Sequence, residues 1–424
     1  MDHQSSETTP TSRMQNQTDM VAALGLDARV LRASLEEACR WVTNVAQLTA
    51  DKPDSEGETR SLAHRSWRGA IRGEYNAATR RWGFFCPVWH TGQAVAALTL
   101  AGQVLGNKSW LLDSAGLGAQ FIGAQRIDDP QDEDYGLICA YEDWPDAANV
   151  SAIIEALNGL FLFSDHGLPA ARDWALDALS WIERKSYIAG CGLFQEPYAP
   201  CQRQFVPLSS RDASERIWQR PLLDDAVFLR GYRLTGRQEW RDIFFQTAEQ
   251  LLANENPPGN WIGYPPCSRK EGLFHPRQAY WWGLPMIDAW QESGQERYLH
   301  CARRVAQWYV QAMRRDGGMF RDTDTNFNTL SFGHATSGTA CAAILFLRLK
   351  LTCGDDQFDE PLARAVTHCL SMQLHDTQDP NLRGAILEKV LPPDGTDRIP
   401  YYLRDLGTIF HIQAVARLLL AEPF

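Results

Sequence analysis

The sequence predicts an all-α protein in which six helical hairpins close into a single (α/α)6 barrel. Three observations predict this fold. Apolar, helix-forming runs recur along the 424 residues at intervals of roughly one helical hairpin. These runs alternate between two patterns, one apolar on every side and one apolar along a single stripe. The two patterns occur equally often only if the first helix of the chain pairs with the last.

The runs that are apolar on every side are expected to be the inner helices of the barrel. Thr339–Leu347 is apolar or small at each position, so this segment must be buried all round. Ala152–Phe163 and Ala94–Ala101 have the same character. The six predicted inner helices begin near His90, Asp146, Pro221, Arg277, Thr336 and Thr408.

The runs with one apolar stripe are expected to be the outer helices. In Arg297–Met313 the apolar residues follow one another at steps of three and four, and arginine and glutamine occupy the other positions. Glycines that follow several inner runs, such as Gly106, Gly236, Gly294 and Gly354, are typical helix C-caps. An open helical solenoid is the alternative architecture. The remaining outer helices are predicted at Trp110–Gln125, Ala170–Ser186, Glu239–Asn254, Asp359–Leu374 and Asp27–Leu48.

Long loops precede the inner helices, and the few predicted strands lie in them, at Gly192–Phe194, Ile262–Tyr264 and Met319–Arg321. Because all these loops meet the N-terminal ends of the inner helices, they are expected to line one mouth of the barrel. Unpaired helix N–H groups and positive dipole ends make this mouth the predicted functional site. The polar residues 1–20 are predicted to be a disordered tail, and residues 21–424 a single catalytic domain.

The composition excludes several classes of protein. Lys and Arg number 41 against 52 Asp and Glu, and the net charge of −11 argues against nucleic acid or an anionic membrane as a partner. Apolar stretches long enough for a membrane span or a secretion signal are missing from the sequence, which predicts a cytoplasmic protein. Ten scattered cysteines lack zinc-binding spacing and are expected to be free thiols. No metal or cofactor is predicted, and the acidic segment Asp128–Asp134 is expected to be solvated rather than metal-binding.

The residues at the predicted mouth are mostly aromatic, basic or acidic. Aromatic faces stack on the C–H faces of a sugar ring, and planar polar groups form hydrogen bonds with its hydroxyls. The sequence therefore predicts a small carbohydrate or a comparable polyol acid as the ligand. The candidate residues are Trp89 and His90, then Trp144 and Asp146, then Trp218, Arg220, Asp224 and Asp225, then His275, Arg277 and Trp281, and finally His334.

Several of these residues also have a purely structural interpretation. Asp146 could be a helix N-cap, and His275 could fix the loop before a proline. Asp224 and Asp225 are expected near the start of a helix, about 100° apart, so at most one of them can point straight into the mouth. Arg277 shares a helix face with the aromatic residue four positions later, and it could either pack there or clamp a carboxylate.

Three segments resemble motifs of a known group of enzymes, the unsaturated glucuronyl and unsaturated rhamnogalacturonyl hydrolases of the six-hairpin glycosidase superfamily. Leu222–Leu229, continuing to Thr235-Gly236, resembles their D-D-x-F-M…T-G segment. Arg277–Trp281 is similar to their R-G-x-[GA]-W signature, and His334–Ala340 is similar to their E-T-S-G-S-A segment. The three matches occur in this order on the third, fourth and fifth predicted hairpins.

The resemblance implies a hydrolase that does not attack the glycosidic carbon. In this family an aspartate protonates C4 of the C4=C5 double bond of an unsaturated uronic acid, water adds at C5, and the resulting hemiketal collapses with loss of the aglycone. By position the resemblance implies Asp146 and Asp225 as the catalytic pair, with Asp224 as the alternative to Asp225. Arg277 would then hold the substrate carboxylate or a hydroxyl, and Trp281 would stack on the sugar. Such chemistry requires one carboxyl that stays protonated in dry, aromatic surroundings.

Two other functions remain open at this stage. A sugar epimerase or isomerase on the same barrel would use histidines to move the proton, and His90, His275 and His334 at three rims are candidates. A helical-repeat scaffold that binds peptides would be non-enzymatic. It would show a continuous groove and no convergence of aspartate, arginine and tryptophan.

Overall fold

The computed structural model describes residues 19–51, 65–141, 147–207, 217–329, 333–389 and 402–424. Most of the predicted tail, residues 1–18, lies outside these ranges, and residues 19–23 are helical. The predicted site residues Trp144 and Asp146 also lie outside the described residues.

Beside the short helical segment 19–23, the described residues contain thirteen longer helices that alternate between an inner and an outer ring. Two of them, α8 and α9, are halves of one inner helix. They meet between Leu284, whose backbone is also helical, and Pro285. In chain order the helices are α1 (Ala28–Trp41), α2 (Pro87–Leu105), α3 (Ser109–Ala124), α4 (Val150–Ser164), α5 (Ala170–Trp181), α6 (Val227–Thr235), α7 (Gln238–Ala253), α8 (Pro276–Gly283), α9 (Pro285–Ser293), α10 (Glu296–Ala312), α11 (Thr336–Cys353), α12 (Asp359–Ser371) and α13 (Leu406–Leu420).

The inner helices form a closed ring. α2 packs against α4, α4 against α6 and the turn before it, and that turn against α8 and α9. α8 then packs against α11, α11 against α13, and α13 back against α2. The predicted (α/α)6 barrel is therefore confirmed, and the open solenoid is wrong, because the last inner helix buries its apolar surface against the first.

The inner helices approach one another closely where small residues face each other. A Cβ atom added to Gly159 in α4 would lie 2.1 Å from the backbone oxygen of Gly92 in α2. A Cβ atom at Gly92 would in turn lie 2.3 Å from the Cα atom of Ala156. Side chains larger than hydrogen at these two glycines would push α2 and α4 apart.

The outer helices follow the predicted stripe pattern. In α10 the buried residues include Leu299, Ala302 and Ala306, whereas Gln307 is exposed. Several inner helices end as predicted at glycines in the left-handed conformation, with φ of 82° at Gly106 and 65° at Gly354. All ten cysteines lie in the described ranges and are free, most of them buried.

Short strands connect the helices at the mouth of the barrel. One sheet has the order β2-β1-β8, with β1 at Gly73–Asn76, β2 at Arg81–Phe84 and β8 at Tyr402–Arg404. A second has the order β3-β4-β7, from Tyr187–Ile188, Leu193–Glu196 and Trp218–Arg220. β5 (Tyr198–Ala199) pairs with β6 (Gln204–Phe205). The first sheet joins the start of the barrel to its end.

Two local expectations are corrected by the structure. The segment Ile262–Tyr264 is turn rather than strand, although the neighbouring Trp261 forms an isolated bridge. The acidic segment is not uniformly solvated, because Asp134 is 1% exposed and accepts hydrogen bonds from the hydroxyl of Tyr198 and the indole of Trp181. Within the described ranges, no helix is both long and apolar enough to cross a membrane.

Candidate functional site

The N-terminal ends of the inner helices converge at one mouth, as the sequence predicts, and two clusters of side chains lie there. The first cluster is built by α2, α8, α11 and α13. Trp89 and Trp281 meet edge to face with ring centroids 6.0 Å apart. The guanidinium carbon of Arg277 lies 5.5 Å from the centroid of the Trp89 ring and 5.6 Å from that of Trp281. Predicted binding residues from two distant hairpins therefore form one aromatic platform around a cation.

Arg277 is held by a buried carboxylate. Its Nη1 donates to Ser337 Oγ at 2.8 Å and to Glu388 Oε1 at 3.3 Å. Glu388 also accepts from the backbone N–H of Ser337 at 2.7 Å, at the start of α11. Both Ser337 and Glu388 have zero solvent exposure. This charged network fixes the Arg277 side chain between the two tryptophans.

Cations and carboxyl groups both surround this platform among the described residues. Glu74 binds both Lys389 and Arg404, with Arg404 Nε at 2.7 Å from Glu74 Oε1. Burial of Glu74 opposes ionisation, but Arg404 and Lys389 outweigh it and lower the pKa of that carboxyl to about 2. Burial and the nearby Arg404 lower the pKa of Lys389 to about 8. Arg321, in the loop before α11, adds a further cation beside Arg277 and Arg404.

His90 lies behind the aromatic platform instead of at its surface. Its Nδ1 is 2.7 Å from Asp405 Oδ1, and neither side chain is exposed to solvent. Burial raises the pKa of Asp405, and the neighbouring His90 opposes that shift. The imidazole packs edge-on against Trp89 at 4.9 Å between centroids. His90 is fully buried in this structure and supports Trp89 from behind, and its predicted contact with a substrate stays a prediction.

His275 caps the start of α8. Its Nδ1 accepts a hydrogen bond from the backbone N–H of Arg277 at 3.2 Å, and its ring lies parallel to Trp281 at 6.1 Å between centroids. Burial, followed by the charges of Arg277, Arg321 and Arg404, holds the pKa of His275 well below its usual value. The imidazole is therefore neutral, with its proton on Nε2.

His334, predicted as a third rim histidine, is partly exposed at the start of the segment that leads into α11. Its backbone pairs with Lys389 through two hydrogen bonds of 2.9 Å. Its ring centroid lies 6.3 Å from that of His368, whose Nδ1 is 3.8 Å from Asp316 Oδ2. Within the described residues, no group of three or more histidines, cysteines and carboxylates is arranged to hold a metal ion.

The second cluster lies at the start of α4 and centres on Arg220. This arginine forms an ion pair with buried Glu196 and donates to Ser151 Oγ at 2.6 Å and to the carbonyl oxygen of Pro265 at 2.8 Å. Glu196 also accepts from the backbone N–H of Ser151 at 2.9 Å. Trp218 lies beside this network, 5.8 Å from the Arg220 guanidinium carbon. A cavity of about 600 Å³ adjoins the cluster and is lined by Ile217, Trp218, Gln219, Gly263, Tyr264 and Pro265.

Asp224 is a buried carboxyl close to the Arg220 cluster. It is 3% exposed, and its Oδ2 has no hydrogen-bond partner among the described residues. Burial raises the pKa of Asp224 to about 8, with smaller upward contributions from Asp225 and Glu196, while Arg220 opposes the shift. Burial thus favours the protonated form of Asp224, and its Oδ2 has no partner among the described residues, as a general acid requires.

Asp225 points elsewhere, because the chain does not form a continuous helix here. Asp224–Ala226 is a separate 3-10 turn, and Asp225 and Ala226 both have left-handed backbone angles, with φ of 52° and 50°. The expectation that the two aspartates lie within the early part of one helix is therefore wrong. Asp225 is partly exposed, whereas Asp224 is buried. Gln93 Nε2 lies 3.5 Å from Asp225 Oδ2, and desolvation raises the pKa of Asp225. Two successive non-glycine residues with left-handed backbone angles carry strain of about 1–2 kcal/mol each. Such strain is concentrated at functional sites.

The structure thus brings together Trp89, Arg277, Trp281 and His275, and places Trp218 and Arg220 near Asp224. The sequence analysis missed Glu196, Arg321 and Glu388 as members of the site. Each lies in a strand or loop without helical periodicity. The pairing of Arg277 with Glu388 spans 111 residues, so local spacing carries no signal of it.

Comparison with known proteins gives the class of the fold. No family model matches the chain, and no curated protein is similar to it in sequence. Solved structures do match, and they are (α/α)6 barrels.

An unsaturated glucuronyl hydrolase specific for heparin is 13% identical, with a TM-score of 0.64, over 92% of this chain and 97% of that one. A D-mannose isomerase is 11% identical, with a TM-score of 0.63, over 92% and 97%. The cellobiose 2-epimerase of Bacillus thermoamylovorans is 12% identical, with a TM-score of 0.61, over 90% and 99%. The chain shares its fold with carbohydrate-processing enzymes that catalyse different reactions.

Proposed function

We propose that the protein is a hydrolase of uronic-acid oligosaccharides carrying a C4=C5 double bond, with Asp224 as its general acid. The observation that carries this proposal is the buried Asp224 carboxyl, whose pKa is raised to about 8 and whose Oδ2 has no described partner. Protonation of an alkene carbon requires a carboxylic acid that remains protonated at neutral pH, which burial provides here. Asp224 takes this role in place of Asp225, because Asp224 Oδ2 has no described partner, whereas Asp225 Oδ2 lies 3.5 Å from Gln93 Nε2.

The first cluster supports a uronate as the sugar. Trp281, which is partly exposed and packs against buried Trp89, offers an apolar face for the ring, and the cations around it suit a carboxylate substituent. A neutral sugar would leave the Arg321 guanidinium, which has no hydrogen bond or ion pair among the described residues, without a partner.

In the proposed reaction, the Asp224 carboxyl transfers its proton to C4, and positive charge develops at C5 beside the ring oxygen. Water adds at C5 and gives up a proton, so that the product is a hemiketal. The hemiketal collapses with loss of the aglycone, and the net reaction consumes one water molecule. Asp146, predicted as the second carboxylate, lies outside the described residues and stays a prediction for the group that accepts the proton from water.

An epimerase or isomerase is the second candidate, favoured by the folds of two of the solved neighbours and by the partly exposed His334. Proton abstraction from a sugar carbon needs a histidine with a free lone pair at the substrate. His275 has its Nδ1 occupied by a backbone N–H and a proton on Nε2, and His90 is enclosed. These two histidines are poorly suited to act as the base. A peptide-binding scaffold is less well supported, because the aromatic and charged residues converge at one mouth.

The test is a substrate screen with the purified protein. Unsaturated disaccharides from polysaccharide lyase digestion would be offered alongside saturated hexuronides, mannose and cellobiose. The hydrolase proposal expects loss of the alkene absorbance of at least one unsaturated disaccharide. Turnover of mannose or cellobiose, with all unsaturated uronides untouched between pH 4 and pH 8, would refute it in favour of the second candidate.

A further inference from the structure

The cations at the mouth differ in how they are neutralised. Arg277 has Glu388 and Ser337 as partners, and it is 5% exposed. Lys389 and Arg404 share the single carboxylate of Glu74. These three cations are thus committed to carboxylates of the protein itself.

Arg321 differs from them. It makes no hydrogen bond or ion pair with any residue in the part of the chain that the structure describes, although it is largely enclosed. Burial, together with the charges of Arg404 and Arg277, lowers the pKa of its guanidinium to about 10. An enclosed charge without a partner destabilises a protein unless something else neutralises it. The guanidinium of Arg321 therefore has donors available for a ligand.

Arg321 lies beside the backbone layer that carries the other cations of the mouth. Backbone bridges link the preceding residue, Phe320, to His334, His334 to Lys389, and Lys389 to Leu403, which adjoins Arg404. The buried ring of His275 is stacked on Trp281. Its pKa is lowered by the positive charges of Arg277, Arg321 and Arg404. Arg321 is partly exposed, whereas Arg277 and Arg404 are buried, so Arg321 is the member of this trio that a bound sugar can reach.

We infer that Arg321 is the residue that binds the carboxylate of the sugar, and that Arg277 instead positions the two tryptophans. A guanidinium with free donors can form the bidentate pair with a carboxylate that gives both affinity and orientation. This inference rests on the proposed function for the identity of the substrate. It assigns specificity for an acidic sugar to the loop before α11, a segment outside the motifs that the sequence analysis singled out.

The experiment compares the R321Q and R321K variants with the wild-type protein and with R315Q. Arg315 is an exposed arginine six residues earlier, with no described side-chain partner, so R315Q is a matched control. The substrates are an unsaturated glucuronyl disaccharide and its C6 methyl ester, which lacks the negative charge. The wild-type protein and R315Q are expected to prefer the acid. R321Q should lower kcat/KM for the acid by about 10- to 100-fold and leave the ester unchanged, since charge-assisted hydrogen bonds contribute at that level. R321K should recover part of the difference.

An equal loss for acid and ester would assign Arg321 a structural role and overturn the inference, as would an unchanged preference for the acid in R321Q. A parallel measurement keeps this test separate from the proposed function. The binding of saturated glucuronate and its methyl ester is measured by calorimetry, which needs no turnover. If no unsaturated uronide is hydrolysed, the proposed function fails, but selective binding of glucuronate that R321Q abolishes would still support the role of Arg321. If the wild-type protein shows no preference for glucuronate over its ester, the inference about Arg321 fails.

Discussion

Asp224→Asn is the perturbation with the sharpest expected outcome, because it should lower activity and raise stability together. The amide keeps the shape of the side chain but cannot transfer a proton. The rate of alkene hydration should therefore fall by about 10²- to 10⁴-fold, the usual contribution of a general acid. In the wild-type protein, activity should decline as the pH rises through about 8, because Asp224 then ionises. The D224N variant should lose this alkaline limb.

The effect on stability follows from the proton that Asp224 holds. The folded protein keeps this proton up to about pH 8, whereas the unfolded chain releases it near the ordinary value of 3.8. Between these two values unfolding releases a proton, so a rising pH favours the unfolded chain, by about 1.4 kcal/mol for each pH unit. At pH 7 the accumulated penalty on the free energy of unfolding is about 4 kcal/mol. The D224N variant lacks this penalty and should therefore be more stable. The gain is reduced by the cost of burying an amide group without a hydrogen-bond partner.

The assay is thermal or urea unfolding of both proteins from pH 5 to pH 8, alongside kinetics on an unsaturated disaccharide. The stability advantage of D224N should grow with pH across this window. D173N is the matched control, since Asp173 is exposed on α5 and the same substitution there should change neither property. A D224N variant with wild-type activity would refute the assignment of the general acid. A stability difference that does not vary with pH would refute the argument from burial.

Three further predictions concern the supports of the site and of the barrel. Glu196→Gln leaves the buried guanidinium of Arg220 without its carboxylate. Urea denaturation should show a free energy of unfolding lower by roughly 3–5 kcal/mol. A change below about 1 kcal/mol would contradict the ion pair. Trp281→Ala should raise KM about 3- to 10-fold with a smaller change in kcat, as measured by steady-state kinetics, and an unaltered KM would remove it from the sugar platform. Gly159→Ala places a methyl group 2.1 Å from a backbone oxygen of α2 and should reduce the free energy of unfolding by roughly 1–3 kcal/mol. Gly263→Ala is the control, because a Cβ atom there meets open space. Equal melting temperatures for the two variants would contradict the close approach of α2 and α4.

The architecture could be predicted because it depends on repeated local signals. A helix that is buried on every side and a helix with one buried face differ in sequence at each turn, and the contrast between Thr339–Leu347 and Arg297–Met313 is visible without a structure. Glycine after an inner helix marks its end for a physical reason, since the left-handed conformation at Gly106 or Gly354 is easy for glycine and strained for other residues. These signals give the number, order and layer of the helices.

The orientation of the two adjacent aspartates could not be predicted. The sequence around Asp224 and Asp225 has the composition of a helix start, and on a regular helix the two side chains would point about 100° apart. Instead, Asp225 and Ala226 adopt left-handed angles, although alanine has no local preference for them. Packing of the turn between α4, α8 and α9 accompanies this conformation, and such tertiary packing leaves no trace in local sequence.

The charged partners were missed for a related reason. Glu388 and Glu196 are single carboxylates in irregular segments, and their partners Arg277 and Arg220 are distant in the sequence. From the sequence, both arginines were candidates for binding substrate, and packing against an aromatic residue was the alternative for Arg277. In the structure each is already neutralised by a buried carboxylate, which changes its expected role from ligand contact to support.

Contact between the last inner helix and the first has a consequence for how the protein acquires activity. Asp405 at the start of α13 reaches His90 in α2, and Arg404 reaches Glu74, so the support of the Trp89 platform joins segments more than 300 residues apart. Contacts of such long range form late in folding, because a large loop must be closed before they provide any stabilisation. A nascent or truncated chain that lacks α13 would retain several of its helical hairpins, but the mouth with its Trp89 platform would not be assembled. Folding intermediates of this protein should consequently be inactive, and activity should return in a single late kinetic phase during refolding.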